Sequence, residues 1–266
     1  MFLFVTNFFG VFCKYNRYDM YVKQCTLLEP YISENAKNDF LSFDGHYVVH
    51  NRGYVNYLQL GYLSPRTSAI IQSNEPVKKK NFKIDAYFTL TNTKKGGNGF
   101  GFWISSPLTL GGFYGRNKNF TGFGVVIATK GGSPYVEYIP STGKRSKKVY
   151  LRNLNASQII TIEHQHPKLK VYYKSTRDNK RELVVDTMSP LEATHVFGVS
   201  GHTGETNGVM KIYSIMGTSI KGLQDTFKVE NTQKSSPLVM FLGIIAILSL
   251  VYYLAKRQKK SEKLSG

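Results

Sequence analysis

The chain has 266 residues, 35 Lys and Arg against 17 Asp and Glu, and a formal net charge of +18, enough length for one large all-β domain or two average ones. The basic excess would suit nucleic acid or an anionic surface, but it is scattered, with clusters at Lys78–Lys80 and Lys144–Lys148 and no nucleic-acid module beside them, so no nucleic-acid partner is expected. Cys13 and Cys25 are the only cysteines, which excludes a disulfide-stapled fold and leaves stability to an apolar core.

The chain opens with MFLFVTNFFGVF, apolar but too short to span a bilayer, and residues 1–13 read as a signal peptide that lacks a basic leader. The competing reading is a first buried strand. Cleavage after Cys13 would leave Cys25 as one unpaired thiol in an oxidising compartment. Beyond it the pattern is β almost throughout. Phe82–Leu90, Gly122–Ala128, Ile159–Glu163, Leu169–Tyr173 and Val209–Ile215 are rich in β-branched and aromatic residues, and Gly, Pro, Asn or Lys clusters bound them. No stretch before the C-terminal apolar run sustains a helical period over three turns, so the expected fold class is all-β, an antiparallel β-sandwich. Residues 221–237 are short and polar and read as a stalk. Leu238–Ala255 is 18 residues without a charge, the signature of a single C-terminal transmembrane helix. Lys256, Arg257, Lys259, Lys260 and Lys263 follow it, offset by Glu262 alone. The positive-inside rule therefore places residues 256–266 in the cytoplasm and gives type I topology.

Four motifs, in order, carry a resemblance. Leu27-Leu-Glu-Pro-Tyr31 precedes Asp39-Phe-Leu-Ser-Phe-Asp-Gly45; then come Gly97-Asn-Gly-Phe-Gly-Phe-Trp103, Gly112-Phe-Tyr-Gly-Arg-Asn-Lys-Asn-Phe-Thr-Gly-Phe-Gly-Val-Val-Ile127, and Phe197-Gly-Val-Ser-Gly-His-Thr-Gly204. Together they resemble the L-type, legume-lectin-like cargo receptors of the early secretory pathway. The resemblance implies a concanavalin-like sandwich (jelly roll) over residues 25–220. It also implies membership of the ER, Golgi or transport-vesicle membrane, with glycoprotein cargo or high-mannose glycan as partner and a homo- or hetero-oligomer with another cargo receptor as a further expectation. The chain's end, Glu262-Lys-Leu-Ser-Gly266, does not match the dilysine address that family members often carry.

The candidate carbohydrate site is Asn98, Gly97, Gly204 and Glu205. Glycines around Asn98 allow positive φ and close approach of a ligand to the backbone, and Asn98 would present its amide to a hydroxyl-rich ligand. An ordinary Asn-Gly hairpin turn explains the same residues. Gly204 would offer backbone N–H at the lip, with Thr203 and Glu205 beside it, and Trp103 is expected to point inward. A plain loop accounts for this turn equally well.

In the family implied, an Asp-x-aromatic-x-Asn loop holds Ca²⁺ and a His-x-x-Asp pair completes both the metal and the sugar sites. Here the corresponding stretches are Ala128-Thr-Lys-Gly-Gly132 and Ser141-Thr-Gly-Lys-Arg-Ser-Lys-Lys148, with no carboxylate in either. Calcium takes six to eight oxygen ligands, usually including carboxylates. No metal site and no cofactor is therefore expected, and Lys130 is a candidate to replace part of the cation's charge. The family's sugar-gripping Asp is replaced by Asn98, which can accept through only one of its two polar atoms.

An enzyme on this sandwich would need paired carboxylates. No Glu-x-Asp or Asp-x-Glu pair lies on an expected strand, so no catalytic residues are assigned. The alternative to a lectin is a carbohydrate-independent adaptor that binds protein cargo or a partner lectin. His164 and His166 are read as surface residues at a strand end, and His46, His50, His195 and His202 as isolated. Asn119-Phe-Thr121 and Asn155-Ala-Ser157 are glycosylation sequons, consistent with a secretory lumen.

Overall fold

A computed structural model describes residues 21–32, 38–50, 56–60, 65–91, 99–128, 133–154, 156–178, 180–205 and 209–220. The chain divides into two compact units, Met1–Phe227 and Lys228–Gly266, and every described residue belongs to the first. The expected signal peptide, stalk, transmembrane helix Leu238–Ala255 and tail lie outside the described residues. Among the described residues no helix is long and apolar enough to cross a membrane.

The described residues form β-strands, with one 3-10 turn at Lys23–Cys25. In chain order the strands are β1 Leu41–Gly45, β2 Tyr47–His50, β3 Tyr57–Leu60, β4 Ser68–Ser73, β5 Asn81–Thr91, β6 Gly99–Ser105, β7 Leu110–Phe113 and β8 Gly122–Ala128. They continue with β9 Tyr135–Pro140, β10 Val149–Tyr150, β11 Gln158–Gln165, β12 Lys168–Ser175, β13 Arg181–Met188, β14 Val196–His202 and β15 Val209–Ser219. Each of the five strands expected from β-branched and aromatic runs is present, most of them longer by one to four residues at an end.

Two seven-stranded antiparallel sheets result. Sheet I runs β1-β4-β14-β6-β8-β9-β10 and sheet II runs β13-β12-β11-β5-β15-β3-β2. Alternation assigns their faces: Ile160, Ile162, Phe82, Ile84, Phe88, Val171, Tyr173, Met210 and Ile212 of sheet II meet Phe100, Phe102, Ile104, Phe123, Val125, Ile127 and Val199 of sheet I in one continuous core. Two packed sheets sharing one apolar interior are a β-sandwich. Tyr31 closes one edge; it is fully buried, and its hydroxyl donates to the Tyr213 carbonyl at 2.8 Å. Cys25 is a buried free thiol, and burial raises its pKa.

Two sequence expectations are corrected here. Trp103 is fully buried, but on the opposite face of sheet I from the sandwich core, in a second cluster with Ile70, Leu108, Val126, Ile139 and Val196. Sheet I is therefore buried on both faces, which is why β6 and β8 read as continuous apolar runs instead of alternating. His164 is not a surface residue. It is fully buried, stacked on Phe82 at 5.4 Å, with Nδ1 at 2.6 Å from the Lys80 carbonyl and Nε2 at 2.8 Å from that of Ser189. Core-facing alternation along β11 decides this, because His164 shares its face with Ile160 and Ile162.

Candidate functional site

The second cluster is built by the segment between β6 and β8, residues 106–121, which folds back over the outer face of sheet I. Glycines make the slot that receives Trp103: a Cβ at Gly101 would lie 2.6 Å from the indole, and one at Gly124 would lie 2.3 Å away. The indole N–H donates to Ser200 Oγ at 2.8 Å, and Phe113, Tyr114 and Phe120 pack against the cluster. Arg116 is 1% exposed. Its guanidinium stacks 4.7 Å from the Trp103 ring and 4.6 Å from that of Phe120, and donates to Ser105 Oγ at 2.6 Å. Burial lowers its pKa to about 10, so it stays a cation at neutral pH.

That lid seals one end of the outer face. At the same end His195 is buried, with Nε2 3.2 Å from Thr121 Oγ1, while the Glu192 N–H donates to its Nδ1 at 3.4 Å. The ring is neutral there, and burial lowers its pKa, opposed by Glu192.

At the other end the strands finish in a row. Ser68 pairs His202, His202 pairs Gly99, and across β8 Ala128 pairs Tyr135, which pairs Tyr150. At about 4.8 Å between neighbouring strands, the row is about 24 Å long. Gly99 adopts φ +108°, and a Cβ there would lie 2.0 Å from the Ile127 carbonyl oxygen, so no other residue fits.

The Ser68 end of the row is polar and ordered by a relay. Ser68 Oγ donates to the Gly111 carbonyl at 3.0 Å and lies 2.8 Å from His202 Nδ1. A hydroxyl has one proton to give, so the His202 Nδ1–H donates to Ser68 Oγ and the neutral ring keeps Nε2 as an acceptor. Burial lowers the His202 pKa, which holds the ring in that neutral form at pH 7. Sequence reasoning passed His202 over as isolated. The available signal was its position at the end of a glycine-rich strand, two residues before Gly204.

Gly204 has φ +62°, and its carbonyl accepts from the Arg66 N–H at 2.6 Å. Arg66 donates to both carboxylate oxygens of Glu205, the shortest contact being 2.9 Å, in an ion pair exposed on both sides. Thr203 is buried, with Thr67 Oγ1 at 3.2 Å from its own hydroxyl oxygen. Arg66 at φ 58° and Tyr114 at φ 51° adopt left-handed backbone conformations, and both neighbour this row. Such conformations cost about 1–3 kcal/mol and concentrate where function demands a particular geometry.

Gly97, Asn98 and Lys130 lie outside the described residues, as does all of the Ala128–Gly132 loop beyond Ala128. Among the described residues no group of three or more His, Cys, Asp or Glu is placed to hold a metal ion. The Ser141–Lys148 stretch starts at the Gly122 end, where the Ser141 N–H donates to the Gly122 carbonyl at 2.8 Å, and reaches the row at Lys148, over the Tyr135 ring. Among the described residues the polar groups around the row are hydroxyls, an imidazole, backbone amides, ammonium groups and the Arg66-paired carboxylate of Glu205.

No protein-family model and no curated protein sequence matches the chain. Solved structures do. The exoplasmic/lumenal domain of VIP36 in its Ca²⁺- and Man3GlcNAc-bound form superposes with a TM-score of 0.65 at 17% identity, covering 77% of this chain and 92% of that one. The legume lectin-like domain from Entamoeba histolytica gives 0.63 at 15% identity, covering 74% and 97%. Basic winged bean lectin with Tn-antigen gives 0.58 at 14% identity, covering 70% and 95%. The fold is thus that of the L-type, legume-lectin-like sandwich.

Proposed function

We propose that this chain is a lectin-like receptor, anchored by Leu238–Ala255 with its sandwich in the secretory lumen, that binds glycoprotein cargo through a glycan without calcium. The observation that carries the reading is the Gly111–Ser68–His202 relay. It fixes an imidazole acceptor at the strand ends beside Gly99, the residue that follows Asn98 in the chain. Sugar hydroxyls are paired donors and acceptors, and a rigid acceptor near the Gly204 turn meets part of that pattern. The solved structures of like fold support it, since VIP36 and winged bean lectin are each seen with a bound sugar. Transport between ER and Golgi belongs to the same proposal and rests on the family resemblance and the topology read from sequence.

The test is glycan binding by the full-length chain in detergent, with and without chelator. Binding that survives chelation and is lost in Asn98→Ala supports the reading. Binding that disappears with chelator would reveal calcium ligands and overturn the metal-free site.

One observation favours a second reading, a carbohydrate-independent adaptor. The Glu205 carboxylate is held by Arg66 on both oxygens, so the lip is closed on that side by an ion pair that a protein partner could equally engage. If the wild-type chain binds no glycan and Asn98→Ala still transports its cargo, the adaptor reading replaces the lectin.

A further inference from the structure

Beyond Tyr135 the row ends in a concentration of positive charge that recognition of a neutral sugar does not require. Lys144, Arg145, Lys147 and Lys148 are all exposed in a run that passes Tyr138 at Ser146 and reaches the row at Lys147 and Lys148, just before β10. Arg145 lies 3.7 Å from Glu137, the acid of β9. Among the described residues the ammonium groups of Lys144, Lys147 and Lys148 meet no carboxylate.

A run of lysines is ordinarily a solvated face, and three observations separate this one from that default. Lys148 is held 4.3 Å over the Tyr135 ring, a cation–π contact that fixes the ammonium beside the row. Tyr135 stands edge-on to Tyr150 at 5.9 Å, and Tyr150 is left 57% exposed although its ring belongs to an aromatic pair. Tyr135 is also the strand partner of Ala128, the last residue before the 129–132 loop, so the charge borders the strand ends and not a remote surface. An exposed tyrosine offers a flat apolar face and a hydroxyl together, and clustered cations raise the local concentration of anions.

We infer that the ligand is an anionic glycan, a sugar chain bearing phosphate, sulfate or a carboxylate. Its neutral part lies against Ser68, His202, Gly99 and Tyr135, and its anion is met by Lys148 with Lys147 beside it. The inference rests on the glycan-binding reading above and names the class of glycan.

The experiment titrates the full-length chain in detergent with one mannose-terminated oligosaccharide in unmodified, phosphorylated, sulfated and sialylated forms, alongside an acidic peptide. One anionic form is expected to bind about tenfold or more tighter than the unmodified sugar. That advantage should collapse in about 0.5 M salt, as screening dictates. It should also be lost in the double variant Lys147→Ser, Lys148→Ser, whose unfolding curve should match wild type because both side chains are exposed. The arm that binds identifies the anion. Equal affinity for neutral and anionic forms, unchanged in the variant, overturns this inference and leaves the glycan reading standing. An acidic peptide that binds as tightly as the best glycan overturns it as well. Failure of every glycan to bind sinks both.

Discussion

The two ends of the outer face of sheet I are made by the same strands and yet differ in kind. At the Ser105 and Gly122 end, the 106–121 segment lays Arg116 between Trp103 and Phe120 and excludes water. At the Gly99 and Ala128 end, the face finishes in a hydroxyl, an imidazole and a glycine. Nothing in strand propensity separates them. The difference lies in where the covering segment stops: it contributes apolar and guanidinium groups at one end and, through the Gly111 carbonyl, a hydrogen-bond anchor at the other.

The sharpest way to break this comparison is Trp103→Ala, which empties the slot beneath the lid. A loss of about 3–5 kcal/mol is expected on denaturant unfolding, and a loss under 1 kcal/mol would mean that the lid does not depend on the indole. At the open end, His202→Ala should leave the unfolding curve close to wild type and weaken glycan binding by about 1–3 kcal/mol, read by titration. A stability loss without a binding loss would move His202 to the structural side. Arg116→Met fills the same slot without charge. Because the guanidinium is buried with no carboxylate beside it among the described residues, the desolvation saved offsets the lost stacking and hydrogen bond, and a change within about 1 kcal/mol is expected.

The imidazoles sharpen the contrast through pH. Burial is the main cause lowering His195, so its folded pKa lies below the roughly 6.5 of an unfolded imidazole. Below that pH the unfolded chain binds the proton more readily, so this part of the stability is present at pH 7 and lost as pH falls through the folded pKa. His195→Asn should flatten the fall in unfolding midpoint between neutral pH and pH 5. An undiminished fall would assign it to the other imidazoles whose pKa burial lowers, His164 and His202. The smallest effect is expected for Glu205→Gln. Its ion pair with Arg66 is about three-quarters exposed on both sides, and such pairs contribute about 0–1 kcal/mol. If the variant nonetheless loses glycan binding as fully as Asn98→Ala, the carboxylate itself reaches the ligand.

Much of the architecture was legible in the residues. The β-branched runs located β5, β8, β11, β12 and β15 because a pleated, half-buried surface selects those side chains. The four ordered motifs pointed to the sandwich that the solved lectin structures share. The absence of acids from Ala128–Gly132 and Ser141–Lys148 could likewise be read directly, since a missing ligand type needs no geometry. What the residues could not disclose was which face each side chain joins. Trp103 was expected in the core and sits on the opposite face, because strand alternation says which residues share a side but not which side is covered by a distant loop. His164 was expected at the surface and is buried, since its burial depends on Phe82 of another strand and on the carbonyls of Lys80 and Ser189.

By itself, then, the sequence determined the strand content, the apolar supply for a sandwich and the lack of acids in Ala128–Gly132 and Ser141–Lys148, all of which follow from local side-chain type and spacing. Tertiary structure alone decided that Arg116 is a buried cation, that Glu205 is taken by Arg66, and that Ser68 turns His202 into an acceptor beside Gly99. The last two join residues distant in the chain, 139 positions apart for Arg66 and Glu205 and 134 for Ser68 and His202. Such contacts exist only once register and sheet order have brought the partners within hydrogen-bond reach.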